Sequence, residues 1–304
     1  MNNIWYVILN PTSGNGKSIK NIDKLKNLFI KYNIAVKIVK SEYSKHEKSL
    51  TQKAIKNGFY KIISVGGDGT LHHIINGVMS QSKIEYSKIT IGVIPLGTGN
   101  DWVKTYNIPS NIELAIQIIK HEKYIYQDIG KIRIIHSNDY FYFNNIAGVG
   151  FDGYVVNKIN SIKQLGAMAY LIGGIMSFIS FKQSNLSIWL DNNKKESKIF
   201  MINIGLCKYS GGGLRLTDYD HHKEGLFDVT VIKDIKLIKV LLNIKKLFNG
   251  NLRKLKEVDL SNNKAIVIKN NDTHIPYIQA DGEIIGKGNS EFSIVNNAIK
   301  FIVK

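Results

Sequence analysis

The sequence predicts an α/β domain with a mostly parallel sheet, followed by a second and largely antiparallel β domain. Three observations carry this prediction. The 304 residues are long for one hydrophobic core, so two domains are expected. The first third of the chain alternates strand and helix signals. From about residue 131, short apolar runs separated by turns take over.

In the first third, apolar runs of strand length alternate with amphipathic stretches of helical spacing. Strands are predicted at 4–9, 35–39, 60–65 and 89–94, and helices at 18–32, 44–57 and 71–79. Because the two kinds of element alternate, neighbouring strands are expected to run parallel. Loops then lie at the carboxyl ends of the strands, where α/β folds place their ligands.

The second half has the pattern of an antiparallel sheet. Strands are predicted at 132–135, 140–144, 186–190, 199–204, 227–232, 265–268 and 275–280, and several of them have hairpin spacing. Two helical stretches interrupt the strands, at 155–181 and at about 235–248. The last apolar segment, 292–303, could pair in either domain.

The composition is that of a globular protein with a strong positive charge. Apolar residues make up 44% of the chain and charged residues 21%. The 41 lysines and arginines against 24 acidic residues give a net charge of +17, which favours anionic partners. Only three residues are arginines, and an AT-rich coding bias explains the scattered lysines at least as well as a binding face does. Since no arginine run is interleaved with aromatic residues, no nucleic-acid partner is predicted.

Cysteine content and apolar runs indicate a cytoplasmic protein. Cys207 is the only cysteine, which excludes a disulfide framework and a cysteine-based zinc site. The apolar run at 4–9 is too short for a secretion signal and has no basic segment before it. The uncharged stretch at 164–181 is diluted by glycine and serine, so a buried or membrane-touching helix is predicted there rather than a bilayer span.

The first strand runs into NPTSGNGKS, residues 10–18, which ends like a Walker A phosphate loop. In that motif a glycine stands five residues before the Gly-Lys-Ser, and Pro11 occupies this position, so the Walker A interpretation fails. The segment 10–14 still predicts an anion-binding loop. Its small residues let backbone N–H groups and hydroxyls face a phosphate at a helix start.

The strand at 60–65 runs into Gly66-Gly67-Asp68-Gly69-Thr70, a second predicted phosphate loop. Three glycines permit close backbone approach, and Thr70 is expected to cap a helix that begins at Leu71. Asp68 makes sense beside phosphates if Mg²⁺ lies between them. Asp101 and Asp128 also follow apolar segments and could join the same cation network. A plain strand-turn-helix connection is the alternative.

Two carboxylates stand two residues apart near the carboxyl terminus, in Asp281-Gly282-Glu283. Such a pair could orient and deprotonate a hydroxyl, which is the role of the base in phosphoryl transfer. A type I′ hairpin turn is the alternative, and it would suffice to explain the motif by itself.

Taken together, the motifs resemble those of one known family. The segments NPTSG, GGDGTLHHIINGV, GVIPLGTGNDW, DIG, NIAGVGFDG and ADGE occur in the order and spacing of the diacylglycerol kinase catalytic-domain family, which includes bacterial soluble lipid kinases and the sphingosine and ceramide kinases. The resemblance implies a three-layer α/β nucleotide-binding domain like that of phosphofructokinase and NAD kinase at 1–130. It also implies a lipid-binding β-sandwich at 131–290 and a final segment, 291–304, that returns towards the first domain.

The resemblance also implies the site residues. Those expected to bind ATP are Asn10, Pro11, Thr12, Ser13, Gly14, Ser41, Gly66, Gly67, Asp68, Gly69, Thr70, Leu71 and Thr98. Asp68, Asp101 and Asp128 would form a Mg²⁺ and water network, and Asp68 also counts as catalytic. Glu283 would accept the proton of the lipid hydroxyl, with Asp281 supporting it. A second, structural Mg²⁺ would lie at His221, Glu224 and Leu226, where Glu224 replaces the usual aspartate.

The implied activity is transfer of the ATP γ-phosphate to a lipid hydroxyl, with diacylglycerol converted to phosphatidic acid as the first expectation. Other acceptors stay open: undecaprenol, a sphingoid base, phosphatidylglycerol or, as in NAD kinase, a soluble metabolite. A non-enzymatic alternative is an inactive membrane- or nucleotide-binding protein. The expected location is cytoplasmic, peripheral to the inner face of the cell membrane. The stretch at 164–181 and the lysines would dock on anionic lipid, and a homodimer is a further expectation.

Overall fold

The computed structural model describes residues 3–162, 180–215, 217, 225–236, 239, 243 and 255–304. The chain divides into two compact units. The first comprises Met1–Ile129, Gly211–Gly213 and Val295–Lys304, and the second comprises Gly130–Ser210 and Leu214–Ile294.

The first unit is an α/β domain on a parallel sheet. Its strands β1 (Trp5–Leu9), β2 (Val36–Lys40), β3 (Lys61–Gly66) and β4 (Thr90–Pro95) lie in the order β4-β3-β1-β2, and all these pairs are parallel. The helices are α1 (Ser13–Lys20), α2 (Ile22–Lys31), α3 (His46–Lys56), α4 (Asp68–Met79), α5 (Asp101–Thr105) and α6 (Ile112–His121), with a 3-10 turn at Tyr86–Lys88. Strands β1, β3 and β4 are almost entirely buried, as expected for predominantly apolar strands of a parallel sheet.

Two helices begin earlier than the sequence predicts. The helix expected at 18–32 is two helices, α1 and α2, and Gly14, Asn15 and Gly16 adopt left-handed backbone angles within α1. The start expected at Leu71 is also wrong, because α4 begins at Asp68 with Gly67 as its N-cap. Thr70 is therefore inside the first turn and does not cap the helix. In α1 the left-handed angles at Gly14 and Gly16 are ones that glycine adopts readily.

The second unit is mainly antiparallel. Its elements, of which β5 and β17 also have residues in the first unit, are β5 (Tyr124–Ile134), β6 (Asp139–Phe143), β7 (Ile146–Gly150), α7 (Phe151–Ile162), β8 (Ser184–Leu190), β9 (Asn193–Gly205), β10 (Tyr209–Ser210), β11 (Leu214–Arg215), β12 (Phe227–Lys233), β13 (Val258–Asn263), β14 (Ala265–Asn270), β15 (Tyr277–Ala280), β16 (Glu283–Lys287) and β17 (Ser290–Ile302). The long strand β9 pairs with β7, β8 and β12, and β15 pairs with β7 and β16. Apolar side chains that alternate along these strands form a large core cluster, and a smaller second cluster includes Phe151 of α7 and Phe200 of β9.

The last strand contributes to both units. Residues 290–293 of β17 pair antiparallel with β14, and Lys300 and Phe301 pair parallel with β4. The apolar segment at 292–303 therefore pairs in both domains, where the sequence left the choice open. Among the described residues, no helix combines the length and the apolar character needed to cross a bilayer. Of the uncharged stretch at 164–181, residues 164–179 lie outside the described part of the chain.

Candidate active site

The loop after β1 is bonded to the loop after β3 through Asn10. The Asn10 backbone N–H donates to the carbonyl of Val65 at 3.0 Å, and its side-chain Nδ2 donates to Thr70 Oγ1 at 3.2 Å. Its Oδ1 accepts from the backbone N–H of Thr12 at 3.1 Å, which folds the loop back on itself. Asn10 therefore joins the two predicted phosphate loops.

Three loops of the first unit meet backbone to backbone. A Cβ atom on Gly14 would lie 2.1 Å from the carbonyl oxygen of Leu96, in the loop after β4. A Cβ on Gly97 would lie 2.3 Å from the Cα of Gly67, in the loop after β3. Neither position has room for a side chain. The carboxyl ends of β1, β3 and β4 thus present converging backbone, together with the N-terminus of α4, which favours a bound anion.

The remaining residues expected to bind ATP lie in or beside these loops, except for one. Ser41 follows β2, is buried and donates its backbone N–H to the Leu9 carbonyl at 2.9 Å. Thr98 is exposed in the loop after β4, whereas Leu71 is buried within α4. The Leu71 side chain thus belongs to the core, and only its backbone could contribute to binding.

Asp68 lies in the first turn of α4 and holds the start of α5. Its Oδ2 accepts from the backbone N–H of Asp101 at 3.1 Å, and its Oδ1 accepts from that of Trp102 at 3.2 Å.

Asp101 is buried, and both of its carboxylate oxygens are in contact with donors. Oδ1 pairs with Lys104 Nζ at 2.7 Å, and Oδ2 accepts from the backbone N–H of Gly212 at 2.7 Å. The sequence reasoning missed both Lys104 and the glycine segment Gly211–Gly213. The run of three glycines, each with a positive φ angle, was the available signal.

Two of the three expected Mg²⁺ carboxylates lie near each other. A Cβ on Gly99 would lie 3.0 Å from Asp68 Oδ2 and 3.8 Å from Asp101 Oδ2, so glycine leaves space between the two acids. Two carboxylates fit Mg²⁺, which commonly takes one or two of them together with substrate phosphates. Asp128 is buried in β5, where its Oδ1 accepts from the Asn297 backbone N–H at 2.6 Å. In the part of the chain that is described, no three acidic, histidine or cysteine side chains form a metal-binding group.

The expected structural Mg²⁺ site falls largely outside the described residues. His221 and Glu224 are not among them, and Leu226 is a half-buried residue just before β12. This site stays a prediction.

The Asp281-Gly282-Glu283 segment forms a two-residue hairpin turn between β15 and β16. Ala280 pairs with Glu283, and Asp281 and Gly282 have φ angles of 50° and 84°, as a type I′ turn requires. The Asp281 carboxylate accepts three backbone N–H groups, from Asn144 at 3.1 Å, Asn145 at 2.9 Å and Ile146 at 3.2 Å. Asp281 thereby ties the turn to β7 and the residues before it.

Glu283 has quite different surroundings. Its side chain is half-buried at the start of β16, and among the described residues no hydrogen-bond donor or cation contacts its carboxylate. Of the two acids in the turn, Glu283 is therefore the one whose carboxylate can accept a proton without breaking an anchoring contact. Asp281, the other acid of the turn, anchors the backbone.

Comparison with known proteins identifies the family. A model of the family described as "Diacylglycerol kinase catalytic domain" matches residues 4–132, and one described as "YegS C-terminal NAD kinase beta sandwich-like domain" matches residues 145–303. The chain belongs to the diacylglycerol kinase family of lipid kinases. Kinases of this family use ATP, and the N-terminal α/β and C-terminal β domains match the family fold.

Curated relatives span nearly the whole chain. A diacylglycerol kinase of Mycobacterium tuberculosis is 24% identical over 302 residues, which cover 97% of this chain and 93% of that protein. A diacylglycerol kinase of Bacillus subtilis is 25% identical over 292 residues, covering 94% and 91%. Other relatives are named as lipid kinases, and their names do not specify which lipid is phosphorylated. A crystal structure of a Bacillus anthracis diacylglycerol kinase aligns with a TM-score of 0.72 at 19% identity, covering 99% of this chain and 97% of that one, which supports the fold alone.

Proposed function

We propose that this lipid kinase transfers the γ-phosphoryl group of ATP to the hydroxyl of diacylglycerol, giving phosphatidic acid. The observation that carries the proposal is the convergence of three glycine-bearing loops at the carboxyl ends of β1, β3 and β4. Converging backbone with no side chains in the way is what polyphosphate binding requires.

In this proposal the phosphates of ATP lie against the segments 10–14 and 66–71 and the N-terminus of α4. Backbone N–H groups stabilise charge on the transferred group without reorganising during the reaction. Ser41 and Thr98 contact the nucleotide outside these segments. The glycines contribute by their absence of side chains, since a Cβ on Gly14 or Gly97 would collide with backbone of a neighbouring loop.

Asp68 and Asp101 would hold Mg²⁺, directly or through water, and Asp128 would complete the water network. Bound Mg²⁺ would supply electrostatic stabilisation of the negative charge on the phosphates. The two carboxylates also have a task of their own, because Asp68 holds the start of α5 and Asp101 holds Lys104 and Gly212. This arrangement keeps a lysine close to the acidic pair.

Glu283 is the proposed base. It takes the proton of the lipid hydroxyl as that oxygen attacks phosphorus, while Asp281 keeps the turn in place. The surroundings of the two acids support this division of roles, since three backbone N–H groups bind the Asp281 carboxylate and no described group binds the Glu283 carboxylate. An uncommitted carboxylate is the better proton acceptor of the two.

Diacylglycerol is the proposed acceptor because full-length relatives carry that name. The site motifs concern ATP and the reacting hydroxyl, and they leave the acyl chains unspecified. The enzyme would meet its substrate at the inner face of the cell membrane as a peripheral protein.

A transfer assay with γ-labelled ATP tests the proposal. Diacylglycerol, undecaprenol, a sphingoid base, ceramide and phosphatidylglycerol are offered in mixed micelles, and NAD is offered in solution. We expect label on diacylglycerol, dependent on added Mg²⁺. Label on another lipid would correct the substrate, whereas label on NAD alone, or on nothing, would refute the proposed activity.

A further inference from the structure

A directed chain of hydrogen bonds lies behind the hairpin turn that carries Glu283. The backbone N–H of Gly282 donates to Gln279 Oε1 at 2.8 Å, and Gln279 Nε2 donates to Asp152 Oδ2 at 2.6 Å. Gln279 belongs to β15 and is 1% exposed, and Asp152 lies in the first turn of α7. The chain therefore links a helix to the turn through one buried amide.

The direction of this chain follows from its chemistry. A backbone N–H can only donate, so the oxygen of the Gln279 amide must face Gly282. The nitrogen then faces Asp152, which must accept. Desolvation raises the pKa of Asp152 to about 6, and the hydrogen bond from Gln279 opposes this rise. At neutral pH the carboxylate form predominates and supplies the required acceptor.

Two glycines make room for this chain of hydrogen bonds. Gly148 lies opposite Gln279 in the pairing of β7 with β15, and a Cβ there would lie 2.1 Å from Asp152 Oδ2 and 2.9 Å from Gln279 Nε2. A Cβ on Gly153 would lie 2.7 Å from the Tyr277 carbonyl oxygen. With any side chain at these two positions, α7 could not approach β15 closely enough for Asp152 to reach the amide.

This chain of hydrogen bonds restrains the backbone of the turn. In a two-residue hairpin the central N–H groups commonly face solvent, but here both are held by the protein. The Asp281 N–H donates to the Ile146 carbonyl at 2.9 Å, and the Gly282 N–H donates to Gln279. Glu283 is the next residue, so these two hydrogen bonds also restrain the direction in which its backbone leaves the turn.

We propose that Gln279 is a positioning residue that holds the turn so that Glu283 points its carboxylate at the reacting hydroxyl, with Asp152 fixing the orientation of the Gln279 amide. This inference rests on the proposed role of Glu283 as the base. Gln279 and Asp152 act through the backbone of Gly282 and not on the substrate.

Charge exchange between the two side chains tests the proposal. Gln279→Glu places two carboxylates together, and we expect kcat to fall by on the order of 100-fold with little change in KM for ATP, as misplacement of a catalytic group predicts. Asp152→Asn can still accept from Gln279 and should lose less than about fivefold. In the double variant Gln279→Glu/Asp152→Asn, the new amide donates to the new carboxylate, so most of the lost kcat should return. Gln52→Glu, at a half-buried amide on α3 that donates to Ser80 Oγ, is the matched control and should stay within about twofold of the wild type in kcat.

Amide hydrogen exchange at Gly282 gives a second readout that does not need activity. We expect faster exchange in Gln279→Glu and restored protection in the double variant, with no change in Gln52→Glu. If Gln279→Glu does not fold, the double variant decides alone, by its kcat and its Gly282 protection relative to the wild type. A Gln279→Glu protein with normal kcat, an equally impaired double variant, or a loss confined to KM would overturn the proposal. If the wild type phosphorylates no lipid, the proposed function fails. Hydrogen exchange at Gly282 still tests whether Gln279 and Asp152 hold the turn.

Discussion

Asp281 and Glu283 show how the surroundings of a residue assign its chemistry. Both are carboxylates of one hairpin turn, separated by Gly282. The Asp281 carboxylate is bound by three backbone N–H groups, and the Glu283 carboxylate is bound by none of the described groups. The first therefore stabilises the fold around the turn, and the second is available for proton transfer.

Replacing Asp281 tests its anchoring role. Asp281→Ala leaves three backbone N–H groups without their acceptor, and we expect the free energy of unfolding to fall by about 2–4 kcal/mol. Urea denaturation followed by circular dichroism measures this loss. Asp139→Ala, at an exposed strand end of the same unit, should change stability by less than about 0.5 kcal/mol. Equal effects of the two substitutions would contradict the anchoring role.

Asp152 predicts a specific dependence of stability on pH. Burial raises its pKa from 3.8 to about 6, so between these values the folded state holds a proton that the unfolded state has released. This group therefore lowers stability as pH rises from about 4 to about 6. Because the residue as a whole retains some solvent exposure, which screens this effect, we expect about 1–2 kcal/mol rather than the full value for the shift.

The comparison with Asp152→Asn isolates that effect, since the other carboxylates cancel in the difference. The variant should gain stability relative to the wild type as pH rises through the window, by the amount given above. Denaturation midpoints at several pH values between about 4 and 7 provide the measurement. A stability difference that does not vary with pH would contradict the raised pKa.

At the scale of elements, the left-handed turn inside α1 sets the first phosphate loop. Gly14 and Gly16 have φ angles of 60° and 82°, which cost a residue with a Cβ roughly 1 kcal/mol each. Only Gly14 also contacts another loop, because its Cβ would meet the Leu96 carbonyl, and nothing lies within 4 Å of a Cβ on Gly16. The two glycines thus share the backbone strain and differ in the loop contact, so substitutions at them can be compared directly.

Alanine at each position separates backbone strain from loop contact. Gly14→Ala should weaken ATP binding by about tenfold or more, because it pushes the loop after β4 away from the loop after β1. Gly16→Ala should introduce the same backbone strain as Gly14→Ala but retain the affinity for ATP within about threefold. Isothermal titration with ATP measures both. Equal losses of affinity would mean that strain and not loop convergence governs binding.

The parallel strands could be predicted from the sequence within one or two residues, because each is a short segment rich in β-branched and other apolar residues between helical stretches. The helix starts could not, since α1 and α4 begin inside glycine-rich segments that the sequence indicates as loops. Strand β7 was also missed as a strand, because glycine in IAGVG argues against one. Its two glycines are explained by tertiary structure, since a Cβ on Gly148 would meet Asp152 and Gln279, and Gly150 has a φ angle of 96° and lies against the Phe200 carbonyl.

The positions of the site acids could be predicted, whereas their partners could not. The spacing of Asp281 and Glu283 indicates a pair of carboxylates in a turn, but it does not tell which one is anchored. The anchoring N–H groups lie about 136 residues away in the sequence, in a segment with no local signal for the contact. Asp101 likewise depends on Gly212, which lies in a distant part of the chain.

At the scale of the whole molecule, the net charge of +17 bears on how the enzyme reaches a lipid surface. If the lysines contribute, binding to vesicles that contain phosphatidylglycerol should fall steeply between roughly 0.05 M and 0.5 M salt, because added ions screen the attraction. Vesicle pelleting measures the bound fraction, with neutral vesicles as the control. Binding that does not respond to salt would assign docking to apolar segments and leave the lysines without a role in it.

We propose that this chain is an ATP-dependent lipid kinase whose proton acceptor is Glu283. The most direct measurement is transfer of γ-label to diacylglycerol in mixed micelles by the wild type and by Glu283→Gln, with Glu196→Gln, an exposed glutamate of the same unit, as the matched control. We expect label transfer by the wild type and the control. Glu283→Gln should lose on the order of 10²–10⁴-fold in rate while binding ATP with unchanged affinity. Retained turnover in Glu283→Gln, or a wild type that labels no lipid, would contradict the account.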